Sequence, residues 1–244
     1  MRQIPGALFI ITCILLLVLG IWTIEDIRLE VRAKKEYSKI AEQAVGFEGE
    51  GEIVSVSVDA PNHPRKPMTI IDHSGLKNEN PDYDCWIYVP GTDINYPVCA
   101  GLDNSYYLNH TFKGEKNMNG CIFRDCNTPL GEKLAFIYGH NMRSGSMFGR
   151  LNKFAEDGID YFYLTTPEKT YKCEIFSTHK TEDDSETFMY VNGKADYEKY
   201  INREISLSDK NYGVGVSAAD RTVVLSTCHG FGTGKRRYVV LAKY

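Results

Sequence analysis

Short apolar runs separated by turn-forming residues recur from Asp84 to the end of the chain. The runs are rich in valine, isoleucine, tyrosine and phenylalanine, and turn-forming glycine, proline, asparagine and aspartate recur between them. This alternation of apolar runs and turn residues is typical of strands joined by turns, and it predicts a closed or nearly closed β architecture. The runs that carry the prediction are 85–89, 121–123, 134–138, 170–176, 223–227 and 238–242.

Two segments between these runs have helical spacing instead. The apolar residues of 147–154 predict a short helix that packs on the core, and an apolar stripe in residues 195–205 predicts a second helix. The first set consists of Met147, Phe148, Leu151 and Phe154, and the stripe consists of Tyr197, Tyr200, Ile201 and Ile205.

Length and charge limit the possible classes of protein. The chain has 244 residues, 43% of them hydrophobic, which is enough to bury one sizeable core. One domain with an N-terminal appendage therefore fits better than two domains. The 28 basic and 32 acidic residues give a net charge of -4, and this balance provides no electrostatic basis for binding nucleic acid.

Residues 4–24 contain no charged side chain and are rich in leucine, isoleucine and valine. A helix rises about 1.5 Å per residue, so this stretch is long enough to cross a hydrocarbon core of about 30 Å. A cleaved signal peptide is the alternative, but the apolar block is long for one, and residues 20–25 offer no small-residue cleavage site. The sequence therefore predicts an uncleaved membrane anchor over residues 1–25.

Residues 26–80 connect this anchor to the strands. The apolar residues of 25–45 fall mostly at helical spacing, which predicts a stalk or a helix lying on the domain. Residues 46–82 are rich in glycine, proline, asparagine and aspartate, apart from an alternating stretch at 53–58, and they predict a linker or a wrapping segment. We expect three parts: the anchor 1–25, a helical stalk with a wrapping segment 26–80, and a catalytic barrel 81–244.

A cysteine and an arginine flank one predicted turn. The run 222–228 ends on Cys228, a glycine-rich connection follows, and Arg237 opens the next run. If the two strands are neighbours, Cys228 and Arg237 face the same cleft. Another apolar run ends just before His140, and a cysteine near a histidine is the minimal set for nucleophilic catalysis.

The remaining cysteines and histidines have simpler interpretations. A single cysteine is more often a small buried hydrophobe than a nucleophile. Seven cysteines cannot all pair within the chain, and the absence of a CxxC spacing argues against structural zinc. Whether Cys121 and Cys126 form a disulfide stays open. His229 is expected to point away from Cys228, and four histidines in turn-like surroundings are expected at the surface: His63, His73, His110 and His179.

A set of short motifs, in the order of a known family, resembles the class B sortases, which are cysteine transpeptidases of Gram-positive cell surfaces. The motifs occupy 86–92 (WIYVPGT), 94–98 (INYPV), 103–108 (DNSYYL), 120–123 (GCIF), 138–142 (YGHNM), 225–228 (LSTC) and 237–240 (RYVV). The resemblance covers about two thirds of the chain. It implies a mainly β fold, a closed sortase-type barrel of about eight strands with peripheral helices and an N-terminal transmembrane helix.

The resemblance also implies roles for three residues. Cys228 attacks a peptide carbonyl and forms a thioester, while His140 acts as the base or ion-pair partner and protonates the departing amine. Arg237 stays protonated, so its guanidinium suits the oxyanion of the tetrahedral intermediate. Arg236 points to the other face of the strand, and the family position before Tyr238 selects Arg237.

The implied substrate is a C-terminal sorting motif of surface proteins, of the NPQTN-like or PPxTG-like type. The acyl group then passes to a cell-wall amine on peptidoglycan or its lipid-linked precursor, and the chemistry needs no cofactor and no metal. The positions that match the neighbourhood of the family's substrate groove, or reach it from a long connection, are Asn104, Leu108, Tyr138, Tyr190 and Ser226.

The resemblance implies a single-pass membrane protein with its catalytic domain outside the cell. The basic residues of 28–35 outnumber Arg2, and positive-inside counting alone favours the opposite orientation. Two other functions stay open on the residues themselves. The same cysteine and histidine suit a membrane-anchored cysteine peptidase that hydrolyses its substrate, and a degenerate sortase serves only as a surface binding module.

Overall fold

The computed structural model describes residues 6–46, 70–228 and 234–244. Within them, a small two-stranded sheet, β1 (Val45–Gly46) with β2 (Ile70–Ile71), precedes an eight-stranded closed barrel. The barrel strands are β3 (Tyr83–Tyr88), β4 (Asn95–Cys99), β5 (Ile122–Arg124), β6 (Leu134–Tyr138), β7 (Tyr161–Thr165), β8 (Thr170–Glu182), β9 (Thr222–Cys228) and β10 (Arg236–Lys243). The helices are α1 (Gly6–Ala44), α2 (His73–Glu79), α3 (Phe154–Asp157) and α4 (Lys194–Ser206). The predicted closed barrel with peripheral helices is confirmed.

The barrel closes because one face of each strand is apolar. In β7, Phe162 and Leu164 are fully buried, whereas the residues on either side of them are partly exposed. Successive side chains of a strand point to opposite faces, so this alternation turns one face toward the interior. Each fully buried side chain of this size contributes about 1.5–3 kcal/mol.

Two parallel strand pairs decide which loops meet at one end of the barrel. β6 runs parallel to β9, with Tyr138 beside Ser226, so both strands finish at the same end. β4 runs parallel to β5, and β5 is antiparallel to β6, so β4 begins at that same end. The turn between β3 and β4 therefore lies there too. We call this end of the barrel the Cys228 end, because Cys228 is the last residue of β9.

Helix α1 runs without a break through the predicted boundary at residue 25. Its first half leaves large apolar side chains exposed, and Leu17 and Trp22, for example, are 68% and 70% exposed. This part of the helix is long and apolar enough to cross a membrane.

The second half of α1 lies on the barrel. Ala33, Tyr37, Ile40 and Ala44 are buried on one helix face. The Tyr37 hydroxyl donates a hydrogen bond to the carbonyl of Gly120 at 2.7 Å. Of the two interpretations of this segment, the helix lying on the domain is the one observed. Residues 47–69 of the predicted wrapping segment, including 53–58, lie outside the described residues.

The predicted helix over 147–154 is wrong in its first half. The chain makes turns there and then a single 3-10 turn, Leu151–Lys153, before the four-residue α3. Met147 has a φ angle of 52°, which a right-handed helix does not accommodate. The expected core packing is nevertheless observed, since all four apolar residues are buried: Met147, Phe148, Leu151 and Phe154.

The second helix is confirmed as α4, but its buried face differs by one residue. Ile205 is 41% exposed, whereas Glu204 is fully buried. The Glu204 carboxylate accepts a hydrogen bond from Thr187 at 3.2 Å, pairs with Arg203, and lies 3.2 Å from His179 Nε2. The predicted surface position of His179 is therefore wrong, because this residue lies in β8 and is covered by α4.

We expect Glu204→Ala to lower the free energy of unfolding by about 3–5 kcal/mol, because it leaves the buried partners of the carboxylate unpaired. Urea unfolding of the full chain in detergent, followed by tryptophan fluorescence, measures the change. The matched control is Glu198→Ala on the same helix, whose exposed carboxylate lies 3.9 Å from Lys194. Its expected effect is below about 1 kcal/mol, and equal losses in the two variants would contradict the role of the buried carboxylate.

Candidate active site

His140 lies just beyond the end of β6, beside the last residues of β9. The ladder continues past Tyr138, since the Gly139 N–H donates to the carbonyl of Ser226 at 3.1 Å. A Cβ atom at Gly139 would stand 2.8 Å from the ring of Phe148, so glycine is required for this close packing. The parallel register ends with Tyr138 beside Ser226, so His140 and Cys228 each lie two residues beyond the same pair.

A backbone carbonyl orients the imidazole of His140. Its Nε2 lies 2.6 Å from the carbonyl oxygen of Leu108. A carbonyl only accepts hydrogen bonds, so Nε2 carries a proton and donates it. Nδ1 is therefore the nitrogen that is free to exchange a proton with a reacting group. Leu108 was predicted as a substrate-binding residue, and its backbone carbonyl also orients His140. Its side chain is 43% exposed.

Arg237 lies directly opposite Cys228 in the antiparallel pair of β10 and β9. Directly opposite residues of such a pair have their Cβ atoms on the same face of the sheet. The two strands are thus neighbours, as the prediction required, and the backbone of Arg237 is paired with that of Cys228. Arg236 belongs to the other face of β10 from Arg237. The Arg237 guanidinium donates to Asp183 at 2.9 Å and to the carbonyl of Gly234 at 2.8 Å.

A buried carboxylate holds two of the predicted substrate-binding residues. Asp125 Oδ2 accepts hydrogen bonds from the Asn104 side chain at 2.9 Å and from the Tyr138 hydroxyl at 3.2 Å. The pKa of Tyr138 is raised by burial and by the negative charge of Asp125, so the phenol stays protonated and donates. Tyr190 also raises this pKa, and Arg237 lowers it, which indicates that both lie near the same phenol.

Comparison with known proteins identifies the barrel. Residues 87–244 match the family model of the sortase domain. Sortase B of Listeria monocytogenes is 34% identical over 163 residues, which make up 63% of this chain and 65% of that protein. The X-ray structure of Clostridium perfringens sortase B superposes with a TM-score of 0.66 at 36% identity, covering 70% of this chain and 98% of that chain. The chain belongs to the class B sortases.

The structure of a Staphylococcus aureus sortase B-substrate complex has the same fold, with a TM-score of 0.66 and 29% identity over 70% of this chain and 82% of that chain. The resemblance inferred from the motifs is thus confirmed, and with it membership of a family of cysteine transpeptidases. The match to the Listeria protein spans slightly less than two thirds of that protein's length.

In this sortase, helix α4 lies in the long connection between β8 and β9, as the resemblance to class B implies. The same connection carries Tyr190, which is 59% exposed. Ser226 is 2% exposed in β9, two residues before Cys228.

The other cysteines of the sortase barrel are poor nucleophiles. Burial raises the pKa of the Cys85, Cys99 and Cys173 thiols, which therefore stay neutral. Cys121 is buried, and its sulfur lies 3.7 Å from that of Cys99. The open question of a disulfide between Cys121 and Cys126 thus has an answer in this structure, where both thiols are free.

The other described histidines have partners of their own. His73 Nδ1 is 2.9 Å from the hydroxyl of Tyr83, which begins β3 at the far end of the barrel. The ring of His110 stacks on Tyr106, and His179 is covered by α4. His63 and His229 lie outside the described residues.

The sequence gives no indication that two residues, Asp183 and Asp125, lie near the site. Asp183 is 54 residues from Arg237 in the chain, and it reaches the guanidinium only because β8 pairs with β10. Asp125 follows β5 without any motif around it. The carboxylates become recognisable only when the strands that carry their partners are placed side by side.

Proposed function

We propose that this sortase cleaves a sorting motif through a thioester on Cys228 and transfers the acyl group to a cell-wall amine. The observation that carries the proposal is the strand register that gathers His140, Cys228 and Arg237 at one end of the barrel. The substrate complex of the Staphylococcus aureus relative adds support. By the resemblance, the motif is NPQTN-like or PPxTG-like.

The first half of the reaction acylates the enzyme. The Cys228 sulfur attacks the peptide carbonyl while its proton passes to Nδ1 of His140, and Arg237 donates to the oxygen that becomes negative. The guanidinium has five N–H donors, so its contacts to Asp183 and to the carbonyls of Gly234 and Arg236 leave donors for that oxygen. His140 then gives the proton to the departing amine, the C–N bond breaks, and the thioester is left.

The second half transfers the acyl group. A neutral amine attacks the thioester carbonyl, its extra proton passes to His140, and the C–S bond breaks to return the Cys228 thiolate. Transfer instead of hydrolysis requires a site in which the amine competes successfully with water. We propose that Asn104, Tyr138, Tyr190 and Ser226, together with Leu108, position the sorting peptide during both halves.

We propose that α1 anchors the enzyme as a single-pass membrane protein, with the N-terminus inside and the barrel outside the cell. The exposed apolar first half of the helix supports the anchor, and the family resemblance supports the orientation. Peptidoglycan or its lipid-linked precursor is then within reach as the source of the amine, and surface proteins that carry a sorting signal are the acyl donors.

Product analysis tests this function. The full chain in detergent is incubated with peptides of both motif types, with and without a glycine-based amine, and the products are identified by mass spectrometry. We expect a ligated peptide when the amine is present. Free acid alone in both conditions would indicate the hydrolytic peptidase, and binding of a peptide without cleavage would indicate the degenerate binding module.

A further inference from the structure

A cavity of 450 Å³ lies between helix α1 and the Cys228 end of the barrel. One wall is the face of α1 from Glu30 to Ala41, and the opposite wall is the turn between β3 and β4. The loop that follows His140 forms a third wall through Ser144, Ser146 and Met147. The proposed substrate-binding residues are not part of the lining.

The order of strands around the barrel places this cavity on the histidine side of the site. From the β3–β4 turn beside the cavity, the order of strands around the barrel is β4, β5, β6, β9, β10 and β8. His140 follows β6, Cys228 ends β9, Arg237 lies near the start of β10, and β8 leads to Tyr190. A molecule in the cavity therefore approaches the thioester past His140.

The wall nearest to His140 has a strained backbone. Met147 has a φ of 52°, a conformation that residues with side chains rarely adopt. Its N–H donates to the Tyr96 hydroxyl at 3.3 Å, and the N–H of Phe148 donates to the carbonyl of His140 at 3.0 Å. Such strain persists only where the surroundings hold it, and it is concentrated at functional sites. The cavity wall and His140 thus belong to one fixed loop.

The position and charge of the cavity indicate its occupant. At about 1.5 Å per residue, Glu30 lies about 9 Å beyond Ile24 along the helix, so the cavity opens close to the proposed membrane surface. Glu30 and Asp93 bring carboxylates from two facing walls, Lys34 brings one ammonium group from the α1 wall, and Ser144 and Ser146 bring hydroxyls, so negative charge exceeds positive charge in the lining. Carboxylates attract an ammonium group, and hydroxyls suit peptide and sugar groups.

We propose that this cavity binds the acyl acceptor, as the amine-bearing peptide of a membrane-linked cell-wall precursor. This inference rests on the proposed transpeptidase function and adds the place from which the acceptor reaches the thioester. The acceptor peptide is held between α1 and the β3–β4 turn. Its ammonium group gives one proton to water on leaving the carboxylates, and the neutral amine attacks the thioester carbonyl as described above.

The test separates acceptor binding from thioester formation. Ser38→Trp fills the cavity from its α1 wall, and Lys39→Trp, the matched control, places the same side chain on the next exposed residue of the helix, outside the cavity. The full chain in phospholipid vesicles receives a sorting peptide and a lipid-linked muramyl peptide with a free lysine amine. We expect Ser38→Trp to raise the KM for this acceptor by about tenfold or more, with hydrolysis in the absence of acceptor unchanged. Lys39→Trp should change neither quantity.

Other outcomes overturn the inference. An unchanged acceptor KM in Ser38→Trp would place the acceptor elsewhere. An equal loss of hydrolysis and transfer would assign the cavity to the sorting peptide or to the stability of the barrel. If the wild type forms no thioester, the proposed function itself fails. Saturation-transfer NMR of the muramyl peptide with the wild type and Ser38→Trp decides the binding site without any turnover, and absence of binding to the wild type would contradict the inference.

Charge recognition gives a second variant. Asp93 is exposed in the β3–β4 turn, so Asp93→Asn removes a carboxylate from the cavity without disturbing the core. We expect weaker binding of the muramyl peptide with a free amine, and unchanged binding of the same peptide after N-acetylation. Equal effects on the two probes would contradict recognition of the ammonium group.

Discussion

Replacing Cys228 by alanine is expected to end peptide cleavage and to leave no acyl-enzyme, because the proposed reaction passes through a thioester on this sulfur. Turnover should fall by about 10⁶-fold, the size of effect seen when a catalytic nucleophile is removed. The substitution is at the last residue of β9, so the apolar interior of the barrel is left intact. The full chain is incubated briefly with the intact sorting peptide that the wild type cleaves. Intact-mass spectrometry of the protein then measures the bound acyl group directly.

The chain offers a matched control for this variant. Cys126 is partly exposed and free, and the hydrogen bond to Asn104 comes from its backbone N–H and not from its sulfur. Cys126→Ala should therefore acylate and turn over as the wild type does. Acylation that persists in Cys228→Ala, or an acyl group that maps to another cysteine, would reject the assignment of the nucleophile.

The sequence predicts where the reactive groups lie because they stand at the ends of strongly apolar runs. Cys228 ends one run, Arg237 opens the next, and burial of the apolar residues within the two runs stabilises the pairing of β9 with β10. The pairing of β6 with β9 is parallel and joins segments far apart in the chain. The resemblance implied that His140 and Cys228 act together, but local residue patterns contain no information about this strand pairing.

Other parts of the site depend on contacts that residue types do not reveal. The partner of His140 is the carbonyl of Leu108, and every residue of a chain has a carbonyl. Asp183 meets Arg237 across a strand pair. His179 was misplaced for the same reason, because its surroundings depend on a buried glutamate of α4. Long-range pairing, and not local propensity, decides the environment of each of these groups.

His140→Ala is expected to slow acyl-enzyme formation by about 10²–10⁴-fold, the usual contribution of a positioned acid or base. The imidazole is partly exposed, so the loss of its ring should leave the barrel folded. Quenched-flow mass spectrometry of the acylated chain measures the rate. His73→Ala is the control, since His73 lies at the other end of the barrel and contacts Tyr83, and its rate should equal that of the wild type.

His140→Gln distinguishes proton transfer from a purely positional role. A glutamine amide donates a hydrogen bond to the Leu108 carbonyl as the imidazole does, but it does not take up and release a proton near neutral pH. If His140 moves the proton between Cys228 and the departing amine, His140→Gln should be as slow as His140→Ala, and added imidazole should restore part of the rate in His140→Ala. If His140 serves only to hold the segment around Leu108, glutamine should restore most of the activity. That result would remove His140 from the chemistry and leave Cys228 without a base on the histidine side of the site.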